Sequence, residues 1–341
     1  MDIKKYENKG LSGLSNLGNT CFINSCVQIL SHTYELNIFL DNEIYKKKLQ
    51  NKYESALLIE WDNLRKILWS NNCIVSPGKF ITTIQKLAKL KNIEIFTGYL
   101  QNDVSEFLLF LIDCFHTALS REISITISGN PETETDKLAL KCFDMIKNTY
   151  SKDYSEIWNL FYAVNVSEIT RADNGKVLSI NPEPFLIIDL PIPSDNKSPS
   201  LIDCFNYYVK GEIIENYIDE ETNEKVDIIK KMLFWTFPNI LTIDLKRFNN
   251  SFKKNQILIS FPLDDLDLSD YVIGYKKEKF KYELYGVCNH SGSVMGGHYT
   301  SYVKNANGKW YHYNDTCVSE VEKNESIVSQ KAYVLFYRKK I

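Results

Sequence analysis

The hydrophobic pattern of the chain changes from a helical to a strand period after about residue 150. Before that point, apolar residues recur every three or four positions, which predicts helices at 21–30, 57–69 and 103–119. Beyond residue 154 the apolar segments are short and rich in Tyr, Val and Phe, as strands are; they lie at 185–193, 240–248, 281–288, 299–303, 310–314 and 332–338. A polar, acidic segment at 194–224 is expected to protrude. Helices followed by strands, rather than alternating with them, predict an α+β fold.

The composition is that of an ordinary globular protein with no strong net charge. Apolar residues make up 44% of the 341 positions, charged residues 24%, and the formal net charge is −3. A chain so balanced creates no field that would attract nucleic acid or an anionic membrane. No apolar run approaches the ~20 residues that a membrane-spanning helix needs, and the N-terminal segment has no apolar core like that of a signal peptide. We therefore expect an intracellular protein in a reducing compartment.

One of the eight cysteines stands at a position suited to nucleophilic chemistry. The cysteines are scattered and no two have C-x-x-C spacing, so neither a disulfide framework nor a metal knuckle is indicated. Cys21 follows a Gly-Asn-Thr turn and begins the first predicted helix, where unpaired N–H groups and the helix dipole lower the pKa of a thiol. Cys26 lies further inside that helix and is expected to pack. From this segment alone, Cys21 could equally be a small buried residue.

Asn16 lies in the loop just before Cys21. Its amide could donate a hydrogen bond, together with the backbone N–H of Cys21, to an oxyanion above the thiol. The same amide could instead only stabilise the turn. Spacing alone leaves both interpretations open.

A cysteine nucleophile needs a base, and the base needs a partner that orients it. Among five histidines, His298 follows two glycines and begins a strand, which leaves room for a substrate chain beside the imidazole. The strand register decides what faces it. A five-residue loop at 304–308 places Asn314 opposite His298, whereas a two-residue turn places Cys317 there. In the first register Asp315 points to the other face, where it would support the loop or the oxyanion region.

These segments together resemble the ubiquitin-specific proteases. GLSNLGNTCFINSCVQ (13–28) resembles the cysteine box of that family, and GGHYTSYV (296–303), KWYHYNDTCVSEV (309–321) and AYVLFYRKK (332–340) resemble its histidine box. QNDVSEFLLFLID (101–113) is similar to the acidic helix motif, and ILTIDLKRF (240–248) with FPLDDLDLSDY (261–271) to the central palm segments. The four motifs follow the family order from about residue 10 to the C-terminus.

The resemblance implies a papain-like cysteine peptidase fold shaped like a hand. A single catalytic domain would span residues 10–341. The helical thumb would take about 10–150, the β-rich fingers and part of the palm about 155–240, and the rest of the mixed palm about 240–341.

The resemblance also implies a role for individual residues. Cys21 would be the nucleophile, His298 the general base and Asn314 the third member of the triad. Asn16 would be the oxyanion donor and Asp315 a supporting residue.

The tail of ubiquitin would be bound by residues near the acidic helix motif and the histidine box, namely Gln101, Asp103, Glu106 and Tyr299. Carboxylates at 103 and 106 suit an arginine-containing tail, because they hold guanidinium groups well. The loop 290–297 would correspond to a mobile blocking loop over that tail.

We expect no metal and no other cofactor. Cys288, His290 and His298 lack a fourth ligand at suitable spacing. Many members of the family carry two C-x-x-C pairs that bind zinc in the fingers, but the matching stretches here contain Ser167, Thr170 and an acidic run. The fingers would then be stabilised by packing alone.

The function that the resemblance implies is hydrolysis of the amide or isopeptide bond after the C-terminal glycine of ubiquitin. The partners would be ubiquitin and ubiquitinated proteins, and the enzyme would be an intracellular monomer in the cytoplasm or nucleus that binds neither nucleic acid nor membrane. Two alternatives remain: a catalytically silent ubiquitin-binding module, and a protease for another ubiquitin-like modifier.

Overall fold

The N-terminal part of the chain folds as a set of packed helices. The structure is a computed structural model and describes residues 3–249, 251–293 and 296–340. The helices are α1 (Cys21–Ser31), α2 (Tyr34–Asp41), α3 (Tyr45–Lys48), α4 (Tyr53–Ser70), α5 (Gly78–Leu90), α6 (Val104–Leu119), α7 (Glu134–Tyr150), α8 (Glu156–Phe161) and α9 (Leu201–Lys210). The three helices that the hydrophobic spacing predicts are confirmed as α1, α4 and α6. No helix in the described residues is both long enough and apolar enough to span a bilayer.

The strands form one large sheet, one smaller sheet and a short parallel pair. They are β1 (Gly13–Leu14), β2 (Ile74–Val75), β3 (Ala163–Arg171), β4 (Val177–Phe185), β5 (Ile187–Leu190), β6 (Glu212–Ile218), β7 (Lys225–Phe234), β8 (Ile240–Leu245), β9 (Leu266–Asp267), β10 (Lys281–Ser293), β11 (Gly296–Lys304), β12 (Trp310–Asn314), β13 (Cys317–Glu320) and β14 (Ala332–Lys339). The large sheet has the order β13-β12-β11-β10-β14-β8-β5, with β9 paired to β10, and the smaller sheet has the order β4-β3-β7-β6. The predicted α+β fold is confirmed.

Helix α1 lies in the core between the other N-terminal helices and the large sheet. Every residue of α1 is buried, and the helix packs against β10, β11, β12 and α6. Gly286 permits the close approach of β10, because a Cβ at this position would lie 2.6 Å from the side chain of Ile29. This packing places Cys21, at the start of α1, against the sheet that carries His298.

Neither of the two predicted registers between β11 and β12 occurs. Ser301 pairs with Tyr313, so the next step of the register puts Asn314 opposite Thr300. His298 lies two residues from Thr300 and therefore on the same face of the strand. A diagonal neighbour at this offset is still within reach of a long side chain.

The predicted loop 290–297 is mostly a continuation of the β10–β11 hairpin. Both strands extend into it, and its residues 294–295 lie outside the described residues. His290 is buried in β10, pairs with Tyr299 in the ladder, and packs against its ring with centroids 4.6 Å apart. The strand pairing between β10 and β11 and this ring contact explain why much of the Gly- and Ser-rich segment forms β-strand.

The segment 194–224 protrudes less than its polar composition predicts. It contains α9 and β6, and the helix begins with a capping box between Ser200 and Asp203. Leu201, Cys204 and Phe205 are buried on one face of α9, against the side of the large sheet remote from α1. Together with the partly buried Ile202, Tyr208 and Val209, these residues dock the short helix on the sheet.

Ion pairs join the tips of the β3–β4 and β6–β7 hairpins. The Arg171 guanidinium lies 2.9 Å from the Asp173 carboxylate and 3.6 Å from that of Asp219, whose side chain is only 2% exposed. Lys176 lies 2.7 Å from Glu221 across the same gap. Charged side chains therefore also connect the two tips, in addition to the packing that is expected to stabilise the fingers.

Candidate active site

Cys21 is the first residue of α1, and its thiol lies beside β11. Burial raises the pKa of the thiol, the backbone N–H of Tyr299 lowers it, and the Asp315 carboxylate adds to the rise. The N–H groups at the start of α1 also lower it, as a helix N-terminus should. The net pKa of Cys21 is nevertheless raised, so the predicted lowering is wrong for this arrangement, in which the residue is only 3% exposed.

A short hydrogen bond joins His298 to Asn314. Nε2 of the imidazole lies 2.7 Å from Oδ1 of the amide. Because an amide oxygen can only accept, Nε2 carries the proton, and Nδ1 of the neutral ring is left as the basic nitrogen. The contact crosses the strands diagonally, from the position opposite Thr300. The structure thus brings these two predicted residues together through a register that was not predicted.

Asp315 attaches the β12–β13 turn to the segment around Cys21. One of its carboxylate oxygens accepts a hydrogen bond from Nδ2 of Asn16 at 3.0 Å, and the other accepts from Nδ2 of Asn24 at 2.8 Å. The backbone N–H of Leu14 donates to the carbonyl of Asp315 at 2.8 Å. The sequence analysis missed Asn24, although its position three residues after Cys21 puts both on one face of α1.

Both the oxygen and the nitrogen of the Asn16 side-chain amide form hydrogen bonds. Its oxygen accepts hydrogen bonds from the backbone N–H groups of Gly18 at 3.1 Å and Thr20 at 3.2 Å. Its nitrogen donates one hydrogen to Asp315. An amide nitrogen has two hydrogens, so one further donor remains on this exposed side chain, in the loop that leads to Cys21.

A cleft of about 690 Å³ contains all four residues predicted to bind a tail. Gln101, Asp103, Glu106 and Tyr299 line it. The side-chain oxygen of Gln101 accepts a hydrogen bond from the backbone N–H of Gly297 at 2.9 Å, which ties the cleft to the residue before His298.

The two acidic residues of the cleft are placed differently. Asp103 caps α6 with one oxygen, which accepts from the N–H groups of Ser105 and Glu106, and its other oxygen accepts from the Tyr333 hydroxyl at 2.6 Å. Glu106 is exposed overall, but partial burial of its carboxyl group, followed by the charge of Asp103, raises the pKa of that group. Glu106 is therefore the freer of the two carboxylates to meet a cation.

Lys254 and His290 form a second polar pair that the sequence analysis missed. The ammonium nitrogen of Lys254 lies 3.0 Å from Nδ1 and 2.6 Å from the carbonyl oxygen of His290. Burial, with help from Arg247, lowers the pKa of Lys254 to about 8, and burial together with Lys254 lowers that of His290 to about 4. His290 is therefore neutral near pH 7 and accepts from Lys254.

Among the described residues, no group of three or more His, Cys, Asp and Glu side chains is arranged to hold a metal ion. The three candidate ligands of the sequence analysis have separate partners: Cys288 lies 3.1 Å from the Ser25 hydroxyl, His290 contacts Lys254, and His298 bonds to the amide on β12. At the hairpin tips, a guanidinium lies between the acidic side chains. This donor set, with a cation in place and neither cysteine nor histidine, does not fit zinc.

Comparison with known proteins defines the class to which this fold and site belong. The profile of the family described as ubiquitin carboxyl-terminal hydrolase matches residues 12–337. Human ubiquitin carboxyl-terminal hydrolase 2 is 34% identical over 345 residues, which cover 96% of this chain and 55% of that protein. Human ubiquitin carboxyl-terminal hydrolase 21 is 32% identical over 359 residues, covering 96% and 61%. The chain therefore spans little more than half the length of these curated relatives.

Solved structures agree on the fold. A chain of the SAGA Ubp8/Sgf11/Sus1/Sgf73 DUB module bound to ubiquitin aldehyde matches with a TM-score of 0.73 and 25% identity, covering 100% of this chain and 72% of that one. A chain of the same module bound to monoubiquitin matches with a TM-score of 0.72 and 24% identity, covering 98% and 70%. The fold is the papain-like fold of these enzymes. The chain belongs to the ubiquitin carboxyl-terminal hydrolase family.

Proposed function

We propose that the protein is a thiol-dependent deubiquitinase that hydrolyses the amide or isopeptide bond after the C-terminal glycine of ubiquitin. One observation carries the proposal: the Cys21 thiol lies beside the backbone N–H of Tyr299, a residue that lines the acidic cleft and directly follows His298, whose imidazole is paired with Asn314. Membership of the hydrolase family supports it, as does a neighbour that binds ubiquitin aldehyde.

The proposed reaction proceeds through an acyl-enzyme. His298 takes the proton from Cys21, and the thiolate attacks the carbonyl carbon of the terminal glycine. The free N–H of Asn16 and the backbone N–H of Cys21 stabilise the oxyanion. His298 returns the proton to the departing lysine amine, and then activates the water that releases ubiquitin. Asn314 keeps the imidazole oriented throughout.

The substrate tail would enter through the cleft. Glu106 offers an exposed carboxylate for an arginine of the tail, and Asp103 adds a second negative charge nearby. Tyr299 would line the narrow end, where only a glycine pair can pass, and Gln101 would hold the backbone beside the base. Burial of Cys21 to 3% exposure implies that the tail displaces part of this wall when it binds.

We also propose that the domain covers residues 10–341 as one catalytic unit and works as a monomer without zinc. Ubiquitin and ubiquitinated proteins would be its partners, in the cytoplasm or nucleus. The ion pairs at the hairpin tips support zinc-independent fingers, and the net charge of −3 gives no reason to expect nucleic acid or membrane as a partner.

Ubiquitin carrying an electrophile at its C-terminus tests the proposal. We expect the wild-type protein to form a covalent adduct at Cys21 and Cys21→Ala to form none while still binding ubiquitin. Cys73→Ala is the matched control, because Cys73 is an exposed free thiol that should play no part. Binding without capture by the wild type would make the protein a ubiquitin-binding module, and neither binding nor capture would indicate another modifier.

A further inference from the structure

We propose that Asn24 is a positioning residue that orients the oxyanion donor Asn16 through the Asp315 carboxylate. The inference rests on the proposed function, because it assigns a role within that reaction. Asn24 touches neither the reacting atoms nor the cleft; it acts through two hydrogen bonds in series, from Asn24 to Asp315 and from Asn16 to Asp315.

Asn24 is buried next to the Asp315 carboxylate. Its side chain is 2% exposed, and its Nδ2 donates to the Asp315 carboxylate at 2.8 Å and lies 3.4 Å from the carbonyl oxygen of Ser15. Its Oδ1 is buried without a hydrogen-bond partner. Burying an amide oxygen without a hydrogen bond costs free energy of folding. The contacts of Nδ2 must therefore hold the Asn24 amide in this orientation.

The two oxygens of the Asp315 carboxylate have different partners. One oxygen serves Asn24 on α1 and the other serves Asn16 in the loop, so the position of one contact limits the other. Asp315 has a backbone φ of 49°, in the left-handed region that few residues other than glycine adopt. Asp315 adopts this conformation in the β12–β13 turn, where its side chain links α1 to the loop.

The Asp315 carboxylate also places a negative charge near the Cys21 thiol and raises its pKa. Cys288 and Tyr299 are further ionisable groups close to that thiol. Two amide donors hold the carboxylate in place, so it supports Asn16 without turning towards the thiolate. If Asn24 were absent, one carboxylate oxygen would lose its donor and the carboxylate could rotate.

A donor–acceptor exchange tests the inference with residues of nearly unchanged shape. Asn24→Asp places two carboxylates against each other, and Asp315→Asn leaves one of the two contacts without an acceptor. In the double variant N24D/D315N, the amide of residue 315 can donate to Asp at position 24 and accept from Asn16, which restores both contacts. The matched control is Asn37→Asp, because Asn37 is also fully buried and bonds to the Ser31 carbonyl, on α2 and away from the site.

We expect each single variant to lower kcat for a ubiquitin-tail substrate by at least about tenfold, with KM within twofold, because an oxyanion donor acts in the transition state. The affinity for ubiquitin aldehyde, whose adduct carries the oxyanion, should fall while that for ubiquitin stays constant. The double variant should recover at least part of kcat. Asn37→Asp should lower the melting temperature alone.

Three results would overturn the inference. The first is a kcat of Asn24→Asp equal to that of Asn37→Asp. The second is a double variant no better than the poorer single variant, since coupling between the two positions would then be absent. The third is a wild-type protein without turnover, which would also overturn the proposed function, whereas the first two leave that function intact.

Discussion

Asn314 accepts one hydrogen bond of 2.7 Å from His298, the proposed base, and adds no charge to the site. The neighbouring Asp315 cannot take over this task as the side chains stand, because both of its oxygens are already engaged by Asn16 and Asn24. The two adjacent residues therefore make separate contacts: Asn314 bonds to His298, and Asp315 anchors the β12–β13 turn to the segment around Cys21.

We expect Asn314→Ala to lower kcat roughly 100-fold, because an imidazole free to rotate loses most of its value as a general base. Asn314→Asp keeps an acceptor at the same place and should retain most of the activity. Steady-state kinetics with a fluorogenic ubiquitin substrate measure both. An undiminished rate in the alanine variant would show that another residue orients the imidazole.

Charged side chains connect the tips of the β3–β4 and β6–β7 hairpins. Arg171 and Lys176 on one tip face carboxylates on the other, and Asp219 is buried beside the guanidinium. Exposed ion pairs contribute little individually, so we expect the pair that includes the buried Asp219 carboxylate to contribute most of the restraint between the two tips.

Arg171→Met should loosen the hairpin tips without unfolding the protein. We expect several-fold faster proteolysis or hydrogen exchange at residues 171–176 and 219–224, and weaker ubiquitin binding, because the fingers would no longer hold one shape. Lys225→Met is the control, since no ion pair involves Lys225 in the described part of the chain. A chelator should change neither protein; loss of activity on chelation would show that a metal is needed after all.

The candidate site is assembled from the two ends of the chain. Strand β1 and the loop that precedes Cys21 pack against the β12–β13 turn, and Gly13 makes this possible: a Cβ there would lie 2.2 Å from the carbonyl oxygen of Thr316. The backbones on either side of this contact carry the thiol and the partner of the base. If these two backbones moved apart, the segment that carries Cys21 would lose its contact with the turn next to Asn314, even if both segments stayed folded.

Gly13→Ala should therefore reduce turnover strongly and cost about 1–3 kcal/mol of stability, the usual penalty of an added group in a packed site. Gly98→Ala is the matched control, because a Cβ at Gly98 meets no heavy atom within 4 Å. Thermal unfolding and kcat/KM measure the two effects. A fully active Gly13→Ala protein would show that other contacts hold the segment before Cys21 against the β12–β13 turn.

Local sequence patterns by themselves determine several helices of this protein and the class of its candidate site. Helical spacing predicts α1, α4 and α6, and the motifs around Cys21 and His298 point to the class of site, because periodicity and turn residues depend only on near neighbours. Register, burial and electrostatics depend on distant parts of the chain. The diagonal contact of Asn314, the raised pKa of Cys21 and the strand structure of His290 arise only when the helices pack on the sheet. The hydrogen bond of Asn24 could not be predicted from local sequence either, because no residue near Asn24 in the chain indicates a carboxylate partner 291 residues away.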